Sequence, residues 1–278
     1  MREVNAKKIT EAIKKLCLEA NYDLSEDVLE ALNKALKQEE SEIGRNILRE
    51  IMKNAEIAKK KKLPLCQDTG LAIVFVEIGS EVRIIGGNLQ EAVNEGISQG
   101  YKNLRKSVVS DPLKRVNTQD NTPAIIHTEI VPGEKIKIGL LPKGGGAENA
   151  SELKMFLPTA SKEEIMDFVV DLINRKGVNA CPPLIVGVGM GGSFDSVGYL
   201  AKKALIRPMG KHHSRAEIAD LEREMLKRIN ATGLGPMGLG GKITALAVHI
   251  EVAPCHIASL PVAVNLECHS HRYKETVL

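Results

Sequence analysis

The chain contains no tryptophan and only four phenylalanines and four tyrosines in 278 residues. Its core must therefore be filled by Ile, Leu, Val and Ala, and no aromatics are interleaved with a basic stripe on which nucleic-acid bases would stack. Charge of one sign is also missing. The formal net charge is +3, too small to mark a polyanion as the partner. No apolar run reaches the roughly 20 residues that cross a bilayer, and residues 1–8 lack the apolar centre of a signal peptide. These absences predict a protein that binds neither nucleic acid nor membrane and works in the cytoplasm. Cysteine is scarce and odd in number, five in all, which argues against a secreted disulfide framework. No two cysteines form the C-x-x-C pair of zinc ribbons and ferredoxins. No internal repeat or low-complexity tract is visible.

What is present is an ordinary globular composition, 43% apolar with charges well mixed. Helical and strand-like stretches alternate, and several strand-like runs pair around turns. The expected fold class is α/β (α+β): a layered domain with mixed β-sheets flanked by helices, one compact domain over residues 1–278. Residues 5–58 read as a helical segment without chemistry, a scaffold or an oligomer interface. Ile9, Ile13, Leu16, Cys17 and Ala20 share one face, which predicts Cys17 as core. Ser25 is the expected N-cap of a helix carrying Val28, Leu29, Leu32 and Leu36, and a third helix carries Ile43, Ile47, Ile51 and Ala55. Residues 71–79 and 81–85 read as a strand pair around Gly79-Ser80, and 122–131 and 135–141 as two strands joined at Pro132-Gly133. Asn88 and Ser214 are expected N-caps, and Ser161-Lys162-Glu163-Glu164 is a capping box.

Chemistry concentrates in a few stretches. In Cys66-Gln67-Asp68-Thr69-Gly70 a thiol, an amide, a carboxylate and a hydroxyl follow one another before a glycine turns the chain into an apolar run. Locally, a turn with an incidental cysteine explains the stretch as well. Arg105 opens a long polar segment, 110–121, of the kind that is often functional. Lys143-Gly144-Gly145-Gly146 allows close backbone approach and offers free N–H groups to an anion, or is simply a flexible turn. Cys181 precedes Pro182-Pro183, which stiffen the backbone at the mouth of the next strand. Residues 187–192 match G-x-G-x-x-G in form, but the region expected to supply an acidic ribose partner is basic, so a helix N-terminus facing another anion is the better expectation. His256, Cys268, His269 and His271 offer zinc ligands, in no usual finger spacing.

Taken together, Cys66-Gln67-Asp68-Thr69-Gly70, Lys143-Gly144-Gly145-Gly146, Cys181-Pro182-Pro183 before a glycine run, and His256-x-Ala258-x-x-Pro261-Val262 before Cys268 occur in an order that resembles the iron–sulfur-dependent hydro-lyases, class I fumarate hydratase and L-tartrate dehydratase. The similarity is to the alpha subunit of the two-subunit form and spans about residues 5–275. It implies a [4Fe–4S] cluster on Cys66, Cys181 and Cys268, with Cys255 the ambiguous alternative to Cys268. It implies Asp68 and His256 as catalytic groups and Gln67, Arg105 and Gly145 as substrate-binding groups. The implied reaction is reversible hydration of fumarate to (S)-malate, a tricarboxylic acid cycle step, or alternatively dehydration of L-tartrate to oxaloacetate; a nicotinamide-dependent oxidoreductase is a more distant alternative. Single-chain members continue into a second domain, whereas this chain ends just past Cys268. A separate beta subunit is therefore expected to complete the site, in an alpha2beta2 assembly with an alpha–alpha dimer.

Overall fold

The computed structural model describes residues 1–278, whose contacts group them into two compact units. One comprises residues 1–25, 55–145 and 272–278, the other 26–54 and 146–271. Each has its own four-stranded sheet and apolar core. The architecture is the expected mixed one, with parallel and antiparallel pairs in the same sheet.

In the first unit, strand β1 (Arg2–Asn5) leads into helix α1 (Ala6–Tyr22), where Asn5 accepts a hydrogen bond from the Lys7 N–H as N-cap. The predicted stripe of Ile9, Ile13, Leu16, Cys17 and Ala20 is buried in one core with α4 (Leu89–Gly100), whose N-cap is Asn88. Glycine sets how closely these helices approach. A Cβ at Gly96 would lie 2.7 Å from Ile13, and one at Gly100 would lie 2.6 Å from Cys17.

Strand β2 (Leu71–Gly79) runs through the middle of the sheet. β4 (Ile125–Val131) flanks it in parallel, β5 (Ile136–Lys143) flanks it antiparallel, and β10 (Lys274–Val277) adds to the outer edge of β5. Two expectations from sequence change here. β3 (Val82–Ile85) does not fold back on β2 but pairs in parallel with β1. β4 and β5, though joined by the short Pro132-Gly133 turn, are separated by β2. The tip of β2 shows why: the N–H groups of Gly79, Ser80 and Glu81 donate to the carbonyls of Lys135, Val131 and Gly133, so the turn's acceptors are spent on β2.

The second unit repeats this plan. Its strands are β6 (Glu152–Phe156), β7 (Leu184–Gly192), β8 (Ala245–Cys255) and β9 (Leu260–Glu267). β7 lies in the middle, with β8 parallel on one side, β9 antiparallel on the other, and β6 antiparallel at the outer edge of β9. The pairing pattern is that of β10-β5-β2-β4, with the outer strand drawn from a different place in the chain. Both middle strands read as continuous apolar runs because they are buried on both faces.

Around this sheet stand α2 (Glu26–Gln38), α6 (Lys162–Lys176), α7 (Ser196–Leu205) and α8 (Ala216–Asn230). The chain passes from one unit to the other four times: after Ser25, within α3 (Glu42–Lys61), at the start of the five-residue helix α5 (Gly145–Asn149) and after His271. Ser161 and Glu164 form the predicted capping box of α6. α8 instead starts after Arg215 without a side-chain cap, so Ser214 does not serve as predicted. Glu39, buried just past α2, accepts hydrogen bonds from the N–H groups of Glu40, Ser41, Lys242 and Ile243, which ties down the loop entering β8. Burial alone would raise its pKa, but these donors outweigh it and lower it. No helix is long and apolar enough to cross a membrane.

The glycine run at 187–192 lies inside β7, not in a turn opening a helix. Its strand positions face α7 directly. A Cβ at Gly187 would lie 2.2 Å from the Ala201 carbonyl oxygen, and one at Gly189 would lie 2.4 Å from that of Val197. These glycines let a helix backbone rest on a strand backbone, and a dinucleotide fingerprint needs them elsewhere. Gly189→Ala should therefore destabilise the folded protein by about 2–3 kcal/mol, read as a lower urea midpoint; an unchanged midpoint would contradict this packing role.

Candidate active site

In the first unit the stretch from Cys66 to Gly70 belongs to no helix or strand. It is held by donors that arrive from elsewhere. The Leu65 N–H donates to the Asn21 carbonyl, fixing the approach. The carbonyl of Asp68 accepts from Arg272 Nη1 at 2.6 Å, that of Thr69 from the Tyr101 hydroxyl at 2.8 Å, and that of Gly70 from Asn121 Nδ2 at 3.1 Å. All three donors come from buried side chains. Gly70 adopts a φ of +82°, and a Cβ there would meet Lys143 N at 2.8 Å. Only glycine fits so strained and crowded a position.

This scaffold presents the Asp68 carboxylate. Oδ1 accepts from the Gly70 N–H at 3.0 Å and the Ser107 hydroxyl at 3.2 Å, and Oδ2 accepts from the Gly145 N–H at 2.7 Å. Gly144 and Gly145 lie directly against this carboxylate: a Cβ on either would stand in van der Waals contact with Oδ2, at 3.5 or 3.6 Å. The Gly145 N–H, expected to be free for an anion, is thus engaged by Asp68. Arg105 joins the same neighbourhood through its backbone, whose carbonyl accepts from Thr69 Oγ1 at 2.5 Å. Its guanidinium side chain and Gln67 are exposed, and Cys66 is half-buried with its Sγ 3.6 Å from Gln67 Oε1. Asp68, Gly145 and Arg105, distant in sequence, are brought together.

Asn121 orders the polar segment beyond Arg105. Its Oδ1 accepts from the Ser107 N–H at 2.6 Å while its Nδ2 holds Gly70. Ser107, Asn121, Tyr101 and Arg272 were not singled out from sequence. The only signal for them was the unusual length of the polar segment that contains Asn121.

In the second unit, Cys181 ends a 3-10 turn (Gly177–Ala180) with a left-handed φ of +55°, immediately before β7. Its carbonyl is the acceptor for the His269 N–H, at 3.4 Å, and lies 3.0 Å from His269 Nδ1. Cys268 follows β9, whose last residue, Glu267, is registered with Ile185 at the start of β7. Cys181 and Cys268 therefore occupy the same end of this sheet, both half-buried. Cys255 does not: it is registered with Gly192 at the other end of β7, roughly 20 Å away at about 3.3 Å per residue. Within this unit the geometry favours Cys268 over Cys255 as the companion of Cys181.

His256 lies in the turn between β8 and β9, beyond Cys255, and is exposed. Its Nδ1 accepts from the Ala258 N–H at 3.1 Å. The length of β9 separates it from Cys268, so the structure does not bring His256 together with Cys181 and Cys268. The same separation dismantles the zinc set of His256, Cys268, His269 and His271. No three His, Cys, Asp or Glu side chains gather in the way that a single metal ion requires. A cluster makes a different demand, single thiolates each on a separate iron, and half-buried cysteines at turns, outside any disulfide, fit it. Cys17 does not, because burial in the α1–α4 core pushes its thiol far above the ordinary range.

A family model described as Fumarate hydratase (Fumerase) matches residues 10–277. The chain belongs to the fumarate hydratase (Fumerase) family. A Methanocaldococcus jannaschii protein, provisionally named L(+)-tartrate dehydratase subunit alpha, is 44% identical over 273 residues, covering 95% of each chain. The L(+)-tartrate dehydratase subunit alpha of Escherichia coli O157:H7 is 33% identical over 272 residues, covering 95% of this chain and 89% of that one. Its counterpart in Escherichia coli strain K12 is 31% identical over 271 residues with the same coverage.

For this member of the fumarate hydratase family, thiol exposure separates site from core. In the native metal-free chain, iodoacetamide should alkylate Cys66, Cys181, Cys255 and Cys268, with Cys17 at least about 100-fold slower. Mass spectrometry of digested time points reads this directly. Comparable labelling of Cys17 in the folded chain would contradict its place in the core.

Proposed function

We propose that this chain is the alpha subunit of a hydro-lyase that adds water to, or removes it from, a four-carbon dicarboxylate, with reversible hydration of fumarate to (S)-malate as the reaction. The observation that carries this reading is the Asp68 carboxylate, fixed by two backbone N–H groups and a hydroxyl two residues after Cys66. Membership of the fumarate hydratase family supports it. L-Tartrate is the second reading, favoured by the names of the relatives. Both reactions remove a hydroxyl β to a carboxylate together with the neighbouring C–H proton; from tartrate the product is an enol that becomes oxaloacetate.

In this reading Cys66, Cys181 and Cys268 hold a [4Fe–4S] cluster, which when bound supplies an iron with an open position acting as a Lewis acid toward the substrate hydroxyl and carboxylate. The remaining roles fall to the chain's own side chains. Asp68 accepts on both oxygens and has lone pairs left, so it can orient the substrate hydroxyl and take up or return its proton. Arg105, exposed on a backbone anchored to Thr69, grips the distal carboxylate with a two-pronged hydrogen bond. The Gln67 amide adds a donor beside it, and the Gly145 N–H acts through Asp68, to which it donates at 2.7 Å. His256, exposed in the turn between β8 and β9, is the second acid–base candidate, a proton donor or acceptor working with Asp68. The base that removes the C–H proton belongs on a beta subunit, a partner supported by the words "subunit alpha" in the relatives' names. An alpha2beta2 assembly in the cytoplasm accommodates this reading.

The test is an anaerobic assay of the iron-loaded chain with fumarate, malate and L-tartrate, with and without a beta-type partner. Turnover of fumarate or tartrate is expected in the complex, at least about 100-fold above the alpha chain alone. Asp68→Asn should lower kcat about 10²–10⁴-fold with an unchanged melting temperature. Full activity of that variant, or of the alpha chain alone, would contradict the assignment.

A further inference from the structure

Arg272 is the largest of the fully buried side chains, 1% exposed, and it forms no ion pair. Its acceptors are all neutral: the Asp68 carbonyl at 2.6 Å, the Pro142 carbonyl at 3.3 Å and Asn21 Oδ1 at 3.4 Å. Its buried Nε–H has no partner. Taking a permanent cation out of water without a counter-charge is costly, and a neutral donor would serve carbonyls more cheaply. The fold nevertheless delivers this residue to a defined place. β10 registers Lys274 opposite Leu140 of β5, and extending that register brings Arg272 to Pro142, the carbonyl it binds. There its guanidinium and the Asp68 carboxylate flank one glycine. A Cβ on Gly144 would lie 3.5 Å from Asp68 Oδ2 and 3.8 Å from Arg272 Nη2.

We propose that Arg272 is a positioning residue for the reaction: it pins the Asp68 peptide from the buried side and sets its charge behind the carboxylate, holding Asp68 against the N–H groups of Gly70 and Gly145. The three anchors of this turn are not equivalent. Tyr101 and Asn121 are neutral and hold the next two carbonyls, whereas the only charged anchor holds the residue that carries the carboxylate. The planar fork of arginine reaches two carbonyls from two separate nitrogens, whereas the donors of lysine radiate from a single nitrogen and glutamine supplies no charge. The inference rests on the hydro-lyase reading for what Asp68 does, but not for how Asp68 is held.

The test compares Arg272→Lys and Arg272→Gln with the wild-type chain by two measurements. In the iron-loaded complex with its beta-type partner, kcat should fall about tenfold for Arg272→Lys and about 100-fold for Arg272→Gln, with KM within about threefold. In the alpha chain, hydrogen exchange should rise over residues 65–72 and 143–147 while residues 184–192 stay protected. Arg272→Lys keeps the charge, so it carries the test if Arg272→Gln does not fold. Wild-type kcat and exchange in either variant would overturn the proposal, as would a rise in exchange spread evenly over both units. If the wild-type complex turns over neither fumarate nor tartrate, the functional reading fails, and the exchange pattern still decides whether Arg272 holds the Asp68 turn.

Discussion

A turn whose carbonyls have no secondary-structure partners must find donors elsewhere or lose its shape. Residues 68, 69 and 70 are such a turn, and their carbonyls are met in succession by Arg272, Tyr101 and Asn121. The three donors come from near the C-terminus, the end of α4 and the polar segment before β4, so the turn is correct only when those parts of the unit have folded. Unmet, each buried carbonyl would cost about 1–3 kcal/mol. On this frame the Asp68 side chain is aimed by the N–H groups of Gly70 and Gly145 and the Ser107 hydroxyl. The carboxylate is preorganised, which is what a group acting on a proton or hydroxyl requires.

The two sheets share one plan, and the chemically distinctive residues fall at matching places on it. Cys66 lies just before the middle strand β2, and Cys181 just before the middle strand β7. The glycines at 144–145 follow the antiparallel partner β5, and Cys268 follows the antiparallel partner β9. In each unit the segment entering the middle strand is therefore joined to the segment leaving its antiparallel neighbour, by Asp68 with Gly145 in one and by Cys181 with His269 in the other. The middle strand acts as a ruler. It also separates Cys255 and His256 from Cys268 by a strand length.

Much of this was legible in the sequence, for identifiable reasons. Apolar spacing predicts α1 and its buried Cys17, and short polar caps predict the starts of α4 and α6, because these signals are local. The cluster of Asp68, Arg105 and Gly145 follows from motif order, not from spacing. Strand pairing was misread at Gly79-Ser80 and Pro132-Gly133, since a tight turn implies a hairpin unless a third strand takes its acceptors, and that third strand is remote. The repeat of the two sheets leaves no sequence trace because only pairing geometry is shared. Arg272 was invisible for a related reason: an arginine among polar residues near a terminus reads as surface, and only the register of β10 on β5 buries it.

The proposed chemistry depends most on which sulfurs can hold a cluster, and iron and sulfide analysis after anaerobic reconstitution measures that directly. The alpha chain should bind about four irons and four sulfides. That content should survive in Cys17→Ala and Cys255→Ser and be lost in Cys66→Ser, Cys181→Ser and Cys268→Ser. A wild-type chain that takes up no cluster, or a Cys268→Ser chain that keeps one while Cys255→Ser does not, would contradict it.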